Sequence, residues 1–191
     1  MEKLNEMSVA DRYRAAAENF SRLVDGVADW DAPSPVKEWT ARDVVGHLVT
    51  WVPGMVGGGS GLAFPEGLDA ATDPVGAWRG LDARVREILD AADEAGAIHS
   101  NPHTGEAPVE RVIDQYVSPD LVFHAWDLAK ASGQDPELDE DFIAGAYAGM
   151  SQASEMIRGS GQFGDQQPVA DDASTTDKFF AFIGRDPNWT P

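Results

Sequence analysis

Val109-Glu110-Arg111-Val112-Ile113-Asp114-Gln115-Tyr116-Val117-Ser118-Pro119-Asp120-Leu121-Val122-Phe123-His124-Ala125-Trp126-Asp127-Leu128-Ala129-Lys130-Ala131-Ser132 is the stretch on which the fold turns. Its apolar residues return every three or four positions, the period of one helix face, and Gly133 supplies a C-terminal stop. Proline in mid-course predicts a kink at Pro119, or two abutting helices with Ser118 capping the second. Asp120 and His124 fall inside the apolar arc, flanked by Ile113, Val117, Leu121 and Leu128, so both are expected to point into the protein interior.

Helical periodicity extends in both directions from this fourth helix. Val9, Tyr13, Ala16, Phe20, Leu23 and Val27 mark a first helix, stopped by the prolines of Asp31-Ala32-Pro33-Ser34-Pro35. Thr40 with Asp43 three residues later predicts a capped start for a second helix running to about Val52. Five glycines between Gly54 and Gly61 predict a flexible loop reaching to about Pro74, with the reach of a lid over a bound substrate. Trp78, Leu81, Val85, Ile88 and Leu89 give a third helix ending near Gly96, and His99 to Pro108 reads as a polar connection that leaves His99 and His103 solvated. Asp139 is placed to cap a fifth helix burying Phe142, Ile143, Ala146, Tyr147, Met150 and Ile157. A last short helix runs from Ser174 to Ile183. Strand-like alternation is weak and confined to Ala97-Ile98 and Val169, so the expected class is all-α, with short connections that favour a bundle.

The chain has 191 residues, 42% hydrophobic and 25% charged, enough for one domain with a real core, taken as 1–191. Its 33 acidic and 14 basic residues give a net charge of −19, which repels polyanions and excludes nucleic acid and anionic membrane surfaces as expected partners. Without cysteine there is no disulfide, thiolate ligand or cysteine nucleophile, so any thiol chemistry needs a thiol from outside. The first residues lack a signal-peptide core, and no run approaches the roughly 18 apolar residues of a membrane span, which makes the cytoplasm the expected compartment.

A carboxylate in an apolar interior needs a partner. Asp120 and His124, one helical turn apart on one face, together with His47 on the interior edge of the second helix, form a two-histidine, one-carboxylate set with room for water or substrate. The same residues also read as a core histidine hydrogen-bonded to Asp120 with no metal. Asp127 lies one turn beyond His124, where it is placed to orient that ligand or to sit in an ion pair. Asp43 is read as a cap and Trp126 as a core residue. Gly159-Ser160-Gly161-Gln162-Phe163-Gly164 has the letters of a dinucleotide fingerprint but follows a helix rather than a strand.

The blocks Pro35-Val36-Lys37-Glu38-Trp39-Thr40-Ala41-Arg42-Asp43-Val44-Val45-Gly46-His47-Leu48 and Asp120-Leu121-Val122-Phe123-His124-Ala125-Trp126-Asp127-Leu128-Ala129, with the closing Gly184-Arg185-Asp186-Pro187-Asn188-Trp189, resemble actinobacterial proteins that share the N-terminal domain of mycothiol-dependent maleylpyruvate isomerase, within the DinB-like superfamily. The resemblance implies a DinB-like four-helix bundle with short additional helices and a metal triad of one histidine plus a Glu-x-x-x-His pair. Those positions fall on His47, Asp120 and His124, with Asp120 replacing the glutamate. It also implies a divalent metal, zinc with nickel as the alternative, mycothiol as thiol co-substrate, a small electrophile as partner, and homodimers. The expected activity is thiol-dependent transfer or isomerisation. The alternative is a non-catalytic metal- or ligand-binding sensor, carrier or stress-response accessory. The chain is short after the fifth helix for the isomerase's separate C-terminal domain.

Overall fold

A computed structural model describes residues 3–102, 105–159 and 161–191, except for the side chains of 156 and 157. It is mostly helical. Helix α1 spans Val9–Asp25 and opens on Ser8, whose hydroxyl accepts the Asp11 amide. Helix α2 spans Ala41–Val52 and has the full predicted capping box: Thr40 accepts the Asp43 amide while the Asp43 carboxylate accepts the Thr40 amide. Helix α3 spans Pro74–Asp90 from the cap Asp73, and a short turn Ala92–Ala95 ends it at Gly96. The fourth helix, α4, joins Val109–Val112, a π-turn Ile113–Val117 and Ser118–Ser132 without a break, and stops at Gly133 with φ +68°. Helices α5 (Glu140–Gln152), α6 (Ser154–Gly159) and α7 (Thr175–Phe182) complete the chain.

Helix α1 packs on α3 and α4, and α2 packs on the same two, so the long helices enclose a shared interior. α7 lies against α5. A continuous apolar cluster fills the space from Leu4 to Ile183. At its centre Phe20 meets Trp78 edge-on at 4.7 Å, and the Trp78 indole N–H donates to Ser21 Oγ at 2.9 Å. Each such fully buried apolar side chain contributes about 1.5–3 kcal/mol relative to exposure. Asp139 caps α5 by accepting the Asp141 and Phe142 amides, and its other oxygen accepts the Leu4 amide, tying the N-terminal turn to the far side of the core. Phe142 and Ile143 are buried as expected, whereas Ala146, Tyr147 and Met150 are half-buried, and the Ile157 side chain lies outside the described set.

Four expectations need correction. The glycine-rich stretch is not a loop: α2 continues through a π-turn Pro53–Gly57 into a last helical turn Gly58–Ser60, ending at Gly61 with φ +75°. Val56 anchors it in the core, and a lid is therefore replaced by an extension of the helix that carries His47. The polar connection after α3 is a hairpin, β1 (Ile98–Asn101) antiparallel to β2 (Gly105–Pro108), so the described residues are not purely α. His99 is fully buried on β1 rather than solvated, with Nε2 3.1 Å from the Met55 carbonyl oxygen; His103 lies outside the described residues. The His99 ring fits where a side chain on Gly59 would be, since a Cβ there would come within 2.2 Å of it. Finally, Ser118 does not cap a second helix. The π-turn bonds the Ser118 amide to the Ile113 carbonyl and brings Pro119, which has no N–H to offer, into a continuous helix.

Candidate metal centre

Each of the two helices that carry the candidate residues has a π-turn beside them. On α2 the turn begins at Pro53, after His47 and Trp51, and on α4 it ends at Val117, before Asp120 and His124. The packing of α2 against α4 brings the three residues together. His47 Nε2 stands 3.3 Å from Asp120 Oδ2, and His124 Nε2 stands 3.5 Å from Asp120 Oδ1. One ligand atom from each of the three residues lies within 4.8 Å of the other two. Donors at about 2.0–2.1 Å from a tetrahedral ion stand roughly 3.3 Å apart, so each imidazole lies at that spacing from a different oxygen of Asp120, while a set of one atom per residue is wider and would contract around an ion.

His124 is 5% exposed and its outer nitrogen is engaged: Nδ1 lies 2.9 Å from Asp127 Oδ2. Asp127 is fully buried and also receives Arg185, Nη2 to Oδ2 at 2.9 Å and Nε to Oδ1 at 3.2 Å. Burial pushes the Asp127 carboxyl up, but the Arg185 charge and the contacts with His124 and Arg185 outweigh it and hold the group below the usual carboxylate range. Arg185 in turn spends Nη1 on the Ile183 carbonyl at 3.1 Å. An ionised Asp127 only accepts hydrogen bonds, so Nδ1 of His124 carries a hydrogen and Nε2 is the nitrogen turned towards Asp120. This is the carboxylate–histidine arrangement that orients metal ligands.

Aromatic rings wall the trio. Trp39 lies over both imidazoles, 5.2 Å from the His47 ring and 5.9 Å from His124, and Trp51 stacks on His47 at 5.9 Å. An open depression of about 480 Å³ in front of His47 is lined by Trp39, Asp43, Gly46, His47, Thr50 and Trp51. Its volume is within the range of small-molecule sites. Asp43 remains a cap, as expected, with its carboxylate on the Thr40 amide and hydroxyl. Trp126 is a core residue stacked on Phe180 at 4.2 Å. Sequence reasoning missed Arg185 and the two tryptophan walls. The closing Gly184-Arg185-Asp186 block offered the one signal for Arg185, and the four-residue step from His47 to Trp51 offered the one for Trp51.

Among the described residues no helix is long and apolar enough to cross a membrane. Residues 13–129 match the family described as Mycothiol maleylpyruvate isomerase N-terminal domain. Two Mycobacterium tuberculosis proteins, the uncharacterized proteins MT0763 and Rv0738, are each 32% identical over 187 residues, covering 91% of this chain and 95% of theirs. No solved structure matches the chain significantly. With the match spanning α1 to most of α4, including all three clustered side chains, the chain belongs to the mycothiol maleylpyruvate isomerase N-terminal domain family.

Proposed function

We propose that His47, Asp120 and His124 bind a divalent metal, zinc by the nitrogen-rich donor set, and that the chain is a thiol-dependent transferase or isomerase acting on a small electrophile, with mycothiol as the thiol. The observation that carries this reading is the convergence of two imidazole nitrogens and one carboxylate within 4.8 Å, with the second nitrogen of His124 already held by Asp127. In this reading the whole chain is one DinB-like four-helix bundle domain working in the cytoplasm.

A bound zinc ion supplies Lewis acidity, lowering the pKa of a thiol or water so that a nucleophile forms near neutral pH. The protein's own residues do the rest. Asp120 would offset part of such an ion's charge, and Asp127, kept ionised by Arg185, holds a His124 hydrogen on Nδ1. Trp39 and Trp51 cover the imidazole faces and limit the approach of water to the open side.

One observation favours a second reading, a metal- or ligand-binding protein without catalysis. Among the described residues, the only titratable side chain lining the depression apart from His47 is Asp43, and its carboxylate is engaged in the helix cap, so among them no separate general acid stands ready.

The test is elemental analysis of protein purified without an affinity tag or added metal, comparing wild type with His47→Ala and His124→Ala. Near-stoichiometric metal in wild type and its loss in both variants is the expected result. Wild type that takes up no zinc or nickel after reconstitution rejects the reading. Consumption of a low-molecular-weight thiol with an electrophile, abolished by His124→Ala, separates the enzyme from the carrier.

A further inference from the structure

Trp39 is not a loosely attached ring at the mouth of the site. Its carbonyl accepts the Ser34 amide at 2.8 Å and its amide donates to the Val36 carbonyl at 3.0 Å, so backbone bonds fix it on both sides. The residue before it, Glu38, sits at φ +67°, a left-handed conformation that side-chain-bearing residues rarely adopt. That turn directs the chain so that the Trp39 indole lies over both imidazoles. Trp51 faces His47 from a helical turn away, and Gly46 contributes no side chain to the floor between them. Both tryptophans are half-buried, with surface left to meet a ligand.

The formal charge in the lining of the depression is negative. Among the described residues the depression is lined by one carboxylate, Asp43, and by no ammonium or guanidinium. The neighbouring Arg42 is taken up by Asp31 and the Ala71 carbonyl, and Arg185 by Asp127 and the Ile183 carbonyl. A substrate bearing a free carboxylate away from its reacting group would find no counter-charge among the described lining residues, the exposed Lys37 two residues before Trp39 lying outside that lining, in a chain whose net charge is −19. A flat apolar face, or a cation, would find two indoles.

We infer that Trp39 and Trp51 set the substrate class: the site takes a molecule whose reacting or coordinating group reaches His47 and whose body is planar and uncharged or cationic, rather than a dicarboxylate of the kind in the family's name. This rests on the metal reading above. Three probes with one metal-binding head separate the terms: acetohydroxamate, benzohydroxamate and 4-carboxybenzohydroxamate, titrated calorimetrically into zinc-loaded protein. Benzohydroxamate is expected to bind about 10-fold tighter than acetohydroxamate, the gain of burying one ring. The 4-carboxy probe is expected to bind several-fold more weakly than benzohydroxamate. In Trp39→Ala and Trp51→Ala, with zinc content unchanged, the ring preference collapses; Trp39→Leu, which keeps bulk without a π-face, loses most of it. Equal affinity for the methyl and phenyl probes, tighter binding of the carboxylated probe, or a preference that survives both alanine variants overturns the inference and leaves the metal reading intact. Wild type that binds no zinc overturns the metal reading itself, and this inference with it.

Discussion

His124 Nδ1 lies 2.9 Å from Asp127 Oδ2, and this contact decides which imidazole nitrogen faces Asp120. The carboxylate accepts a hydrogen, so a hydrogen stays on Nδ1 and Nε2 is the nitrogen left to face Asp120. Asp127→Asn puts a carboxamide of the same shape there, neutral and with a donating end. Metal affinity is expected to fall about 10–100-fold, the usual cost of removing such a supporting carboxylate. Competition with a chromophoric chelator measures it. Unchanged affinity would reduce Asp127 to a packing role.

Arg185 is the cation that lets Asp127 stay charged in a dry interior. Removing it by Arg185→Met strands a buried carboxylate, with an expected loss of about 3–5 kcal/mol in denaturant unfolding. The pair Asp127→Asn with Arg185→Met should recover most of that stability without recovering metal affinity. A single Arg185→Met variant within about 1 kcal/mol of wild type on the same principle would contradict the burial argument.

Two adjacent glycines in the helical extension of α2 should respond with opposite signs. A Cβ on Gly58 meets nothing within 4 Å, so Gly58→Ala is expected to stabilise by about 0.5–1 kcal/mol through the lost freedom of glycine in the unfolded chain. A Cβ on Gly59 would come within 2.2 Å of the His99 ring, so Gly59→Ala is expected to destabilise by about 1–3 kcal/mol. Melting temperatures of the two variants decide it, and equal shifts would mean that His99 can move aside freely.

The helical framework and the clustered trio were legible because they rest on local periodicity and on charges out of place in an apolar arc. Asp120 and His124 could be read from their own helix, and His47 from the cap at Thr40 that fixes where its helix begins. The rest depended on information that short spacings do not hold. Glycine enrichment is the same signal for a mobile loop and for close packing, so the segment after Val52 was expected to be a loop although Gly59 receives a histidine ring. His99 sits among Ser100, Asn101 and Gly105, neighbours that suggest solvent, while what buries it is the carbonyl of Met55 on another element. Pro119 is what makes Ser118 resemble a cap, and the π-turn at Ile113–Val117, which takes the proline into one continuous helix, leaves no local pattern of its own. Arg185 reaches Asp127 across 58 residues of sequence, and no local pattern announces such a contact.

That long-range contact also sets an order of events during synthesis. Translation runs from the N-terminus, so His47, Asp120, His124 and Asp127 all leave the ribosome before Arg185 does, and α1 through α4 are free to assemble first. An ion captured by the nascent chain would be held by a histidine whose supporting carboxylate still lacks its cation. On the proposed metal reading, full-strength metal retention would therefore be acquired late, once the segment after α7 has docked. Fragments cut at the end of the family match, at residue 129, would preserve every proposed ligand and still behave like the unfinished chain.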